Sequence, residues 1–144
     1  MSAMSDYLEN KMVDQLFRGQ TAPTTSTLYV ALLTSAPSDS GGGTEVSGGS
    51  YARVAVTSSL TNWAGTQEIG STTASSGTSG QTSNNIAITF PTPSATWGTA
   101  THFGIYDNAS SGNLLFYGAL TIAKTINQSD TVTFPAGSLT VTFA

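Results

Sequence analysis

His102 is the only histidine in the 144-residue chain, and there is no cysteine. A serine hydrolase would have to use this imidazole as its base, yet no G-x-S-x-G elbow leads into a helix anywhere. A glycosidase would need two carboxylates held on either side of one bond. The eight acids, Asp6, Glu9, Asp14, Asp39, Glu45, Glu68, Asp107 and Asp130, are scattered, and three of them fall in one helical stretch. One histidine without a thiolate falls short of the usual zinc sets, and the stretch from Asp39 to Glu45 lacks the alternating oxygen ligands of a calcium loop. No Walker or dinucleotide fingerprint occurs. These residue types point away from an enzyme, and they imply no metal, no cofactor and no small-molecule substrate.

His102 has a simpler reading. In THFGIY it alternates with Phe103 and Ile105, which places it on the opposite face of a strand. DNASSGN then supplies turn chemistry and NLLFYGAL a return strand, so the spacing predicts a β-hairpin with His102 as a half-exposed rung.

The elements around it follow from composition and period. Charged residues make up 8% of the chain, against about 25% in ordinary soluble domains. Its 20 serines and 24 threonines must therefore hydrate the surface, and β-branched threonine suits a pleated, half-buried sheet. Net charge is −4, and the four basic residues, Lys11, Arg18, Arg53 and Lys124, form no positive stripe for phosphates. Nucleic acid is not an expected partner. Nor is a membrane, since no run of about 18 apolar residues occurs, and no export signal opens the chain.

Residues 5–19, SDYLENKMVDQLFRG, predict the one helix. Asp6 with Glu9 suggests a capping box, Leu8, Met12, Val13, Leu16 and Phe17 share a face, and Arg18 with Gly19 marks the end. That apolar face must be buried, against the domain's own sheet or against a neighbouring copy. After it the period becomes two. Strands are expected at 27–33, 50–56, 85–90, 101–106, 113–120, 131–134 and 138–143. Residues 65–85 contain one large apolar side chain, Ile69. They predict a long Ser/Thr/Gly-rich loop that is mobile or ordered only against a partner. The expected fold is a single domain over 1–144, all-β, an antiparallel β-sandwich of jelly-roll type with one short N-terminal α-helix.

Without a reactive constellation, contact chemistry remains. Tyr, Trp and Arg dominate interface hot spots. The candidate partner-interface residues are therefore Leu16, Phe17 and Arg18 at the helix end, Tyr51 and Arg53 near glycine-rich turns, and Trp63 and Trp97. The alternative for the tryptophans is that they plug the ends of the sandwich core.

The order of segments carries a resemblance. SDYLENKMVDQLFRG, TLYVALLTSAP, GGGTEVSGGSYARVAV, NWAG, NNIAITFP and WGTATHFGIYDNASSGNLLFYGAL together resemble a family of small virion proteins of tailed bacteriophages, over about Ser5 to Ala144. Members are often labelled tail-fibre proteins, and similar small β-sandwich proteins act as cement or decoration proteins on capsids. The resemblance carries no catalytic motif. Tyr51, Ala52, Arg53, Trp97, Gly98, His102, Phe103 and Gly104 come over only as family markers. It implies a virion structural protein made in the bacterial host cytoplasm. The leading expectation is a homo-oligomeric capsid cement or decoration protein on the capsid exterior, bound to the major capsid protein and to copies of itself. A tail-fibre or tail-tip receptor-binding module is the alternative.

Overall fold

In a computed structural model of the chain, which describes residues 2–22 and 25–143, the helix α1 runs Asp6–Arg18. Ser5, not Asp6, is its cap. Ser5 has extended backbone angles, and its hydroxyl accepts the Leu8 N–H at 3.3 Å. The choice is tertiary: the Ser5 hydroxyl also donates to the Leu114 carbonyl, and the Ser5 N–H donates to Leu115 O at 2.9 Å. Asp6 and Glu9 are left in the first turn, where carboxylates suit the positive end of the helix dipole. Gly19 ends the helix in the left-handed region at φ 66°, as its type predicts.

Ten strands accompany this helix among the described residues. β1 (Ser2–Met4), β8 (Leu114–Ile126), β7 (Gly98–Tyr106), β2 (Thr27–Ser35) and β3 (Thr44–Glu45) form a sheet in that order, with β4 (Val54–Thr57) also on β2. Two ribbons complete the set: β5 (Gln81–Ser83) with β10 (Thr140–Thr142), and β6 (Ile88–Thr89) with β9 (Thr133–Phe134). Every pairing is antiparallel. The β-rich, antiparallel character with one short helix matches the expectation. The strand order does not establish a jelly roll, because among the described residues the ladders are one six-stranded sheet and two two-stranded ribbons.

Register explains the core. Val30 opposes Ile105 and Leu32 opposes Phe103, and all four are buried together with Ile88, Leu139 and Val141 from the ribbons. The ribbons thus share one core with the large sheet. On the other face Ala31 opposes Gly104 and Leu33 opposes His102. His102 therefore lies opposite to Phe103 and Ile105, as their alternation predicts. Gly104 is glycine for a reason of space: a Cβ there would stand 2.8 Å from the Tyr106 ring, which folds back over it.

Several expected elements differ, among them the strand at 131–134, which shrinks to β9. The strand at 50–56 shrinks to β4, because Tyr51 and Arg53 leave the ladder to serve the polar cluster described below. The strand at 85–90 shrinks to β6. Asn84, fully buried, ties the turn before it by donating to Ile86 O at 2.8 Å and Pro135 O at 2.9 Å while accepting from Leu139 N at 2.9 Å. The loop at 65–85 is tied by its own side chains. Gln67 Nε2 donates to Ser71 Oγ at 2.6 Å and Thr73 Oγ1 at 2.7 Å, and Gln67 Oε1 accepts from the Ser76 N–H at 3.2 Å.

Candidate functional site

A dense polar constellation sits on the edge of β2 away from β7, in the gap between β4 and β3. β4 covers the edge of β2 at Thr27–Val30 and β3 covers it at Leu33 and Ser35, which leaves the Leu32 N–H between them. The Tyr51 hydroxyl fills the gap, accepting from Leu32 N at 3.0 Å and donating to Glu45 Oε1 at 2.8 Å. Arg53 completes a fork on the same carboxylate, Nε to Oε1 at 2.9 Å and Nη2 to Oε2 at 2.8 Å. Its Nη1 donates to Asn108 O and Ser111 O, both at 2.8 Å, which pins the β7–β8 hairpin turn. The guanidinium lies 3.6 Å from the Tyr106 ring centroid, a cation–π contact.

The electrostatics match this geometry. Burial pulls the Arg53 pKa down, but the Glu45 hydrogen bonds and charge outweigh it and hold the group above its ordinary value. Burial raises the Tyr51 hydroxyl, reinforced by the Glu45 charge and opposed by the Leu32 hydrogen bond. Burial likewise raises Tyr106. All three nitrogens of this bidentate, stacked and nearly covered arginine, and four of its five N–H groups, are engaged within the chain. Tyr51 and Arg53 thus act as clamps within the chain.

The other candidates separate in the same way. Trp97 is buried, donates its indole N–H to Gly49 O at 2.9 Å and meets the Tyr51 ring edge-on at 5.3 Å. Trp63 is half-buried against the core, with its Nε1 enclosed and unpartnered. The plugging role weighed for the tryptophans fits both better than the anchor role. His102 Nδ1 bonds only the neighbouring Thr101 hydroxyl, at 2.8 Å. Leu16 and Phe17, however, are exposed at 67% and 82%, with Val13 at 50% beside them. Only the first part of α1 meets the body, through Leu8, Tyr7 and Met12. Of the two covers expected for the apolar face, the domain's own sheet therefore serves only its first part, and Val13, Leu16 and Phe17 are left uncovered within one chain. Arg18 is exposed beside this patch and pairs with Asp14 at 3.2 Å.

One feature escaped the reading of the sequence. Between the large sheet and the ribbons opens a cleft of about 790 Å³, walled by Phe103, Leu120, Ile122, Ile126, Val132 and Phe134. Its cause is a register shift: β7 advances two residues, Ala100 to His102, while β8 advances five, Ala119 to Lys124. The surplus pushes Leu120–Ala123 outward and leaves Ile122 80% exposed. Lys124 lines the opening and makes no ion pair among the described residues. Alternation alone cannot announce such a bulge.

Among the described residues no three His, Cys, Asp or Glu side chains gather as a metal site, and no helix is long and apolar enough to cross a membrane. The surfaces are suited to contact. In agreement, the profile of a protein family described as Podophage GP4 fiber I protein gp80 matches residues 3–142. The chain belongs to this family. As a member of the gp80 fibre family it is a phage structural protein associated with the virion. The family's description gives the capsid cement reading no support, and the tail-fibre alternative fits it better. No curated protein gives a significant match to the chain.

Proposed function

We propose that this protein is a non-enzymatic structural component of a phage tail fibre, assembled with copies of itself and with neighbouring virion chains. The observation that carries the reading is the fibre-family match over residues 3–142. The side chains support it. The polar groups of the Glu45–Arg53 cluster are engaged in holding the fold, while apolar side chains stand exposed at the end of α1 and, among threonines and serines, at the cleft. That is the distribution of a building block whose remaining chemistry is association.

Copy number and position in the particle test this. Quantitative mass spectrometry of purified virions and of isolated tails should find the chain enriched with tails. The count should be the small number that tail symmetry allows, far from the hundreds that a capsid lattice requires. Enrichment with tail-less capsids at lattice stoichiometry would reject the fibre assignment.

A further inference from the structure

Two surfaces among the described residues complement one another. One is the protruding last turn of α1, with Leu16 and Phe17 exposed at 67% and 82%. The other is the cleft. Protein interiors leave few voids larger than a water molecule, yet this opening measures about 790 Å³ and its floor includes Leu32, Phe103, Ile126 and Leu139, all core residues. Ligand-enclosing pockets span roughly 300–1,000 Å³, so the space is ample for a leucine and a phenylalanine side chain. The chain's own helix end does not occupy it, since Leu16 and Phe17 are open to solvent.

Charge agrees with shape. Lys124 is a cation at the cleft without an ion pair among the described residues. At the end of α1 the Gly19 and Gln20 N–H groups both turn back to Asp14 O, and the Gln20 side chain takes Arg18 O. The carbonyls of Gln15, Leu16 and Phe17 lie beyond the reach of the helix's own amides. They form the negative end of the helix dipole, a place that accepts an ammonium group with its three donors. The one cation already there, Arg18, is engaged by Asp14.

We propose that the last turn of α1 in one copy inserts Leu16 and Phe17 into the cleft of the next, where Lys124 of the receiving copy meets the helix-end carbonyls. The inference rests on the fibre reading for its setting and adds the geometry of self-association. Because the two surfaces differ, the contact is heterologous: it repeats head to tail, closing into a ring or continuing as a filament.

The test uses the full chain in sedimentation velocity over a concentration series, with circular dichroism to verify folding. Leu16→Asp with Phe17→Asp removes the protrusion, and Ile122→Asp with Lys124→Glu removes the receiving surface. Both pairs change exposed side chains. Each variant alone should self-associate at least roughly a hundredfold more weakly than the parent chain, from the lost apolar burial. An equimolar mixture of the two should recover a 1:1 dimer and nothing larger, because one retains its cleft and the other its helix. A cleft variant that associates like the parent would mean that helices pair with helices, and it would overturn the proposal. So would a mixture that fails to dimerise, or a parent chain that stays monomeric while its cleft takes up a dodecanoate probe. Any of these failures with the chain still found in tails would leave the fibre reading intact, whereas virion stoichiometry decides that reading separately.

Discussion

The Glu45–Tyr51–Arg53 cluster and the last turn of α1 are opposite solutions to the same problem, a large side chain near the surface. Arg53 keeps 6% of its side chain exposed and uses every guanidinium nitrogen. Phe17 keeps 82% of its area exposed. The first residue has its partners inside the chain and so stiffens the body, while the second has none and so is available to another molecule. Residue type does not separate these roles. Arginine and tyrosine are hot-spot types, yet here they are consumed internally, and what is left for contact is aliphatic and aromatic surface.

The largest effect should come from breaking the clamp. Arg53→Ala leaves the Glu45 carboxylate without its counter-charge and with only the Tyr51 hydroxyl as donor, frees two carbonyls of the 107–113 turn and removes the contact on Tyr106. Loss of one partner from a largely covered pair should cost about 3 kcal/mol in denaturant unfolding. Arg53→Lys should recover little of it, since an ammonium cannot reproduce the fork. Next comes Tyr51→Phe, which leaves the buried Leu32 N–H without its acceptor at a cost of about 2 kcal/mol.

The same residue gives a pH dependence. Its folded pKa is raised by burial above the unfolded value near 10. The contribution is therefore complete below about pH 10 and is lost as pH rises towards the folded value. Unfolding free energy should fall through that alkaline window in the parent chain and fall less steeply in Tyr51→Phe.

Smaller effects sharpen the other side of the comparison. Leu16→Asp with Phe17→Asp should cost the single chain only about 1 kcal/mol, from carboxylates placed at the negative end of α1, while abolishing self-association. A loss comparable to that of Arg53→Ala would place the helix end in the domain's own core. His102→Gln, a half-exposed rung bonded only to Thr101, should change stability by less than about 1 kcal/mol.

How much of this was legible in the sequence varies by element. Strict alternation located β7, β8 and β10, and the turn types between β7 and β8 located their hairpin. The helix was legible from its apolar period and its Gly19 stop, but a period reports only that a face exists, not what covers it. That is why the period leaves open whether Val13, Leu16 and Phe17 are covered by the domain's own sheet or by a neighbouring copy. Counting apolar side chains gives no sign of the hydrogen bonds within residues 65–80, which Gln67 and its hydroxyl neighbours make. Tyr51 and Arg53 were legible as special, and their pairing with Glu45 was detectable, since a lone acid and a lone base eight residues apart are conspicuous in a chain that is 8% charged. The cleft was not legible, as it depends on the five-for-two register of β8 against β7.

Amide hydrogen exchange on the full chain, followed by mass spectrometry at a concentration where it is monomeric and at one where it is assembled, tests the division between clamp and contact most directly. The division predicts slow exchange in both states for the amides of residues 32 and 33 beneath Tyr51. Protection gained on assembly should be confined to residues 14–19 and to 119–124 at the cleft. Gain of protection around Glu45, Tyr51 and Arg53, with residues 14–19 unchanged, would contradict it.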